Sequence, residues 1–135
     1  MVAPDFACYS LALIKDETII YTSDESGLRP LVRCILELAG KVSGCILHDK
    51  VIGLAAARLA LYSGMIDEIV AGTISEPARA RLAAIDFPFT ASATVPMILN
   101  RDRTGICPME AIALSTPDDI AMWRKMLEKL GIGAD

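Results

Sequence analysis

Histidine is almost missing from this chain of 135 residues, with His48 the only one. The four cysteines, Cys8, Cys34, Cys45 and Cys107, are scattered, and the closest two lie a whole helix-to-strand step apart. No C-x-x-C occurs, so a Cys/His zinc site has little to work with, and reduced, buried thiols are the simple reading. A basic stripe is also lacking: the net charge is −4, which argues against a nucleic-acid footprint. No apolar run reaches the length of a membrane span, because the most apolar one is interrupted by Arg58 and broken at Gly64. The N-terminus, MVAPDFACYS, has neither the basic nor the apolar region of a signal peptide, which places the chain in the cytoplasm. There is no internal repeat and no low-complexity segment. The length suits one domain, residues 1–135, with a core of its own.

What is present reads as an alternation of strands and helices. Leu11 to Ile14 and Thr18 to Ser23 are short β-prone runs around Lys15-Asp16-Glu17, a hairpin signal. Leu28 opens a helix whose apolar positions Leu31, Val32, Ile35, Leu38 and Ala39 keep helical spacing, with Gly40 as its stop. Cys45, Ile46 and Leu47 then form a short strand that breaks at His48-Asp49-Lys50 into a helix. From Val51 to Leu61 that helix carries only Arg58 as a charge, so it is buried on more than one side. Glu68 to Gly72 is a fourth strand, and Ser75 caps the next helix, with Glu76 and Pro77 in its first turn. Phe89 to Ala93 is a fifth. Asn100 to Gly105 is the most polar loop. Pro108 starts a helix in which Glu110 stands where a capping-box acid reaches back to its own cap. A last helix begins at Thr116-Pro117-Asp118-Asp119 and runs toward the C-terminus, over 116–135.

A hairpin followed by strand–helix crossovers predicts an α/β fold of three layers, α/β/α, with a mixed five-stranded sheet and helices on both faces. Right-handed crossovers bring the helix starts to one sheet edge. Ser26-Gly27, His48-Asp49-Lys50 and Ser75-Glu76 are therefore expected to cluster.

Four ordered motifs carry a resemblance. IIYTSDESGLRPLV at 19–32, DKVIGLAAARL at 49–59, ISEPARARL at 74–82 and PMILNRDRTGICPMEAIAL at 96–114 together resemble the domain of unknown function 1893 family. The element order resembles the cytidine deaminase-like fold. That fold implies a helix before the hairpin, where residues 1–9 leave only a short N-terminal extension. It also implies a zinc-bound water held by H-x-E on one helix start and P-C-x-x-C on the next. By position these fall at Glu25 to Arg29 and at Asp49 to Gly53, which hold neither Cys nor His. The resemblance therefore implies the fold without the zinc, and no metal or other cofactor is expected.

The candidate site residues follow from the polar helix starts. Asp49 is either a helix cap or a group that orients a ligand hydroxyl or acts as a base. Lys50 would meet a phosphate. Ser26, Gly27, His48, Ser75, Glu76, Asn100, Arg101 and Glu110 complete the expected ligand site. One helix N-terminus contributes about 0.3–1 kcal/mol toward holding an anion, whereas a micromolar ligand needs roughly 8 kcal/mol. Charge-assisted bonds from Lys50 or Arg101 must supply much of the rest. The leading expectation is thus a zinc-free domain that binds a nucleotide or similar anionic small molecule at the carboxyl edge of the sheet. A second is a transferase or hydrolase using Cys107 as nucleophile, which needs His48 within reach as base. A third is a non-catalytic oligomeric module. Apolar residues make up 53% of this short chain, so a homodimer or higher homo-oligomer is expected.

Overall fold

The computed structural model describes residues 2–133. Met1 of the N-terminal extension, and the two final residues of the helix expected over 116–135, lie outside them. The elements are β1 (Leu11–Lys15), β2 (Thr18–Ser23), α1 (Arg29–Leu38), β3 (Cys45–Ile52), α2 (Leu54–Ser63), β4 (Ile66–Ser75), α3 (Glu76–Ala84), β5 (Phe89–Val95), α4 (Pro108–Ser115) and α5 (Asp119–Leu130). They form a mixed five-stranded sheet in the order β2-β1-β3-β4-β5. β1 is antiparallel to both of its neighbours, and β3, β4 and β5 are parallel. The hairpin turns on Asp16 and Glu17, both at positive φ, the left-handed pair that matches the twist of the flanking strands.

The strand that breaks after Leu47 in the sequence reading runs on to Ile52. Its ladder with β4 continues through His48↔Val70, Asp49↔Ala71, Val51↔Thr73 and Ile52↔Ile74. Three polar residues look like an interruption, but a neighbouring strand that pairs across them holds them extended. The helix accordingly starts at Leu54, with Gly53 as its cap, and Asp49 is not a helix cap. β4 likewise extends beyond Glu68–Gly72 at both ends. The last helix starts at Asp119, with Asp118 accepting from the Ala121 N–H at 2.8 Å. Thr116 and Pro117 belong to the linker before it.

Among the described residues, helices do not cover both faces of the sheet. Each step from β2 to β3, β4 and β5 moves the same way across the sheet, so right-handed crossovers put α1, α2 and α3 on one face. α4 and α5 pack on α2 rather than on strands. One core joins Leu13, Leu47 and Ile69 to residues of all five helices, such as Leu31, Leu59, Leu82, Met109 and Met122. The other face has a small cluster of its own, Tyr9, Ala12 and Ile14, with Val2, Phe6 and Ile46 against it. The layers thus run sheet, inner helices, outer helices.

α2 lies in the middle, which explains its lack of a polar face. Leu54 through Ala60 are buried without a break. Its one charge, Arg58, is turned to use: Nη1 donates to Ala113 O at 2.8 Å and Thr116 O at 2.6 Å. Nη2 donates to Pro117 O at 2.9 Å and Asp119 Oδ1 at 2.8 Å. The guanidinium therefore satisfies the carbonyls where α4 ends and the linker to α5 begins.

Candidate functional site

A cavity of about 800 Å³ opens beside the carboxyl end of β3, the usual side for a ligand in an open α/β sheet. Its polar rim comes from the β2–α1 loop, Asp24 to Gly27, and from the Asn100-Arg101-Asp102 loop. Its inner wall is largely apolar, with Ala55, Ala56, Ile98 and Met109. Of the residues singled out from the sequence, the fold brings together Ser26, Gly27, Asp49, Lys50, Asn100, Arg101, Cys107 and Glu110.

Three do not join them. His48 is buried and belongs to the sheet face without helices: its Nδ1 lies 2.9 Å from Tyr9 Oη, and the two rings stack. The Tyr9 hydroxyl also accepts from the Asp5 N–H at 3.0 Å, so it ties the N-terminal segment to the His48 ring. Burial also pushes the His48 pKa down. Neighbouring residues of a strand point to opposite faces, so Asp49 turns away from His48, and Lys50 borders both the cavity and a small pocket beside Tyr9. Ser75, fully buried, caps α3 by accepting from the Ala78 N–H at 3.3 Å. Glu76 forms an exposed ion pair with Arg79 at 2.9 Å. β4 runs directly into α3, and both side chains serve that helix.

Glu110 does something the sequence did not announce. Its carboxylate caps α2 rather than its own helix, accepting from Leu54 N–H at 2.8 Å and Ala55 N–H at 2.9 Å across 56 and 55 residues. Burial raises its pKa, and the two N–H groups oppose that rise. Gly53 makes the approach possible, since a Cβ there would collide with the Glu110 carboxylate and come within 2.9 Å of Ile98 Cγ1. The start of α2 is therefore already occupied by an anion. The caps of α1 and α4, Leu28 and Cys107, accept no side-chain bond and also border the cavity.

Asp49 is the most unusual group in the site. It is 8% exposed, and its Oδ1 accepts from the Val51 N–H at 3.3 Å. No side chain pairs with it among the described residues. Burial pushes its carboxyl up to about 8, against the backbone N–H groups of Val51 and Lys50. It is thus mostly protonated at neutral pH. Lys50, next in the chain, is exposed at the cavity mouth. Asn100 spends most of its hydrogen bonding inside its own loop, accepting from Thr104 N–H at 3.0 Å and donating to Thr104 Oγ1 at 3.2 Å.

Cys107 is half-buried and borders the cavity, but His48 does not, so the Cys–His pair needed for a thiolate nucleophile is not assembled. Among the described residues no three His, Cys, Asp or Glu side chains group to hold a metal ion. Sequence reasoning missed Asp24, Glu25 and Asp102, which put three more acids at the rim. Their only signal was their place beside Ser26 and Arg101.

No curated protein matches the chain. A crystal structure of a DUF1893 family protein from Thermotoga maritima is similar to it, with a TM-score of 0.79 and 29% identity. The match covers 91% of this chain and 82% of that one. The family model described as "Domain of unknown function (DUF1893)" matches residues 6–130, which includes every cavity residue named above. The chain therefore belongs to the DUF1893 family.

Proposed function

We propose that this protein binds a small nucleotide-like molecule in the cavity at the carboxyl end of β3, without a catalytic zinc. The single observation that carries the proposal is the cavity itself: it is roomy, apolar inside, polar at the rim, and holds a buried carboxyl with no partner side chain among the described residues. Such a combination suits a flat ring inside and a polar tail outside. A base would lie against Ala55, Ala56, Ile98 and Met109, and a phosphate at the rim would meet Lys50 and Arg101. Those two cations must carry the anionic part, because Glu110 already fills the N-terminus of α2. We read the architecture as cytidine deaminase-like on the strand order β2-β1-β3-β4-β5, with β1 alone antiparallel to its neighbours.

The test is a thermal-shift panel of the four common nucleosides and their 5′-monophosphates. At least one member is expected to raise Tm, and a K50A/R101A double variant should lose the extra shift that the phosphate adds. A panel without any stabilising member refutes the proposal. The same reading takes the protein to be a cytoplasmic homodimer or higher oligomer. Four free thiols suit a reducing compartment, and a sheet face without helices suits a partner copy. A monomeric mass by light scattering at micromolar concentration would count against association.

A further inference from the structure

We infer that Asp49 acts in this cavity as an uncharged hydrogen-bond donor, so that the site selects ligands whose inner end is a neutral acceptor, such as a ring nitrogen or a carbonyl. The inference deepens the proposed function and rests on the cavity being a ligand site.

The geometry carries it in three steps. First, Asp49 reaches the cavity from inside the sheet: it lies on β3, between Ala71 of β4 and Leu11 of β1, and borders the space with 8% of its surface exposed. A carboxylate removed from water needs a cation or several donors to remain charged. No cation pairs with it among the described residues, and Lys50 is exposed at the mouth. The uncharged form is the one such a place favours, and the upward pKa shift agrees.

Second, the backbone divides the work of the two oxygens. Oδ1 accepts from the Val51 N–H at 3.3 Å, as the carbonyl oxygen of an acid does. That leaves a protonated Oδ2 as the donor, and a protonated carboxyl has one O–H to give. A carboxylic acid kept neutral in an apolar site to donate a hydrogen bond is a known device of binding and catalytic sites.

Third, the surrounding charges disfavour an anion near Asp49. Glu110 packs in from α4, Asp24 and Glu25 from the β2–α1 loop, and Asp102 from the loop before α4, against Lys50 and Arg101 as the cations. Cys107 adds a thiol from the start of α4, and His48, next in the chain, belongs to the opposite sheet face with Tyr9. No cation borders the inner end, so that end takes a neutral group, and a ligand anion has only Lys50 and Arg101, at the mouth, to meet it.

Measuring Kd from pH 6 to pH 9.5 tests this, using adenosine, cytidine, guanosine and uridine on the wild type and on Asp49→Asn and Asp49→Leu. The wild type is expected to bind at least one nucleoside, with affinity constant below pH 7.5 and falling about tenfold per unit well above pH 8. D49N, which has an amide donor at every pH, should bind the same nucleoside with a flat profile. D49L should bind at least tenfold more weakly at pH 7. Wild-type affinity that rises above pH 8 shows a carboxylate acceptor and overturns the inference while leaving the cavity a ligand site. So does a D49N profile that follows the wild type. Absence of binding by all four nucleosides and by their monophosphates overturns both.

Discussion

Replacing Asp49 by asparagine should make the protein more stable at neutral pH and remove a large part of its pH dependence. The native carboxyl holds its proton to about 8, against a reference near 3.8 for the unfolded chain. Between those values the unfolded state gives up a proton that the native state keeps. Stability contributed by this group is therefore fully present below about pH 4 and is lost as pH rises toward 8. Each unit costs about 1.4 kcal/mol, so the step from pH 5 to pH 7 is on the order of 3 kcal/mol. His48 works in the opposite sense, because burial lowers its pKa and its contribution is lost as pH falls below 6.5. Glu110, raised by burial, runs in the same direction as Asp49. Both are common to the two proteins, so the difference between D49N and wild type isolates Asp49. The asparagine carbonyl can still accept from Val51 N–H. Urea unfolding at half-unit steps from pH 5 to pH 8 measures it. The advantage of D49N should grow by about 3 kcal/mol from pH 5 to pH 7. An advantage that stays constant or shrinks over that interval refutes a buried, proton-holding Asp49.

Three further substitutions probe the frame around the cavity. E110A strands the N–H groups of Leu54 and Ala55 inside the protein and should cost roughly 2–5 kcal/mol by urea denaturation; E110Q, which keeps one good acceptor, should cost less. R58M leaves the carbonyls of Ala113, Thr116 and Pro117 without their donor. It should cost about 3 kcal/mol or more, with lost near-ultraviolet signal from Trp123 on α5. Y9F removes the hydroxyl between Asp5 N–H and His48 Nδ1. A loss of about 1 kcal/mol is expected, and a changed His48 ring shift by NMR with the cavity residues unmoved would place that pair on the other face.

The strands, the helices and most of the core were legible because periodicity records which side of an element is buried. The short apolar run of β1 and the helical spacing in α1 speak of their own surroundings, and both elements form as their sequences indicate. Contacts made across the chain leave no such local trace. β3 runs through His48-Asp49-Lys50 because β4 pairs with it there, which no window on β3 alone reveals. Glu110 has the sequence context of a local cap and caps a helix more than fifty residues away. The polar residues at Ser75-Glu76 and at Asp49-Lys50 look equivalent in sequence, yet only the second pair borders the cavity. Helix starts identify candidates, and the length of the preceding strand decides where each one is delivered. The expectation of helices on both faces failed for a topological reason: strand order determines the side of every crossover, and order is invisible to composition.

The attachment of α4 and α5 has a consequence for motion. This outer pair is fastened to other helices, through Arg58 of α2 and through Arg29 of α1, whose Nη2 donates to Leu130 O at 2.9 Å. The pair is therefore expected to open as one cooperative unit, with its own opening free energy, while the sheet ladder remains intact. The cavity lies along that seam, with Asp49 on the sheet side and Met109 on the outer side. A molecule bound between them clamps the two parts together, and the amides of α5, far from any ligand atom, should exchange their hydrogens more slowly when the cavity is filled.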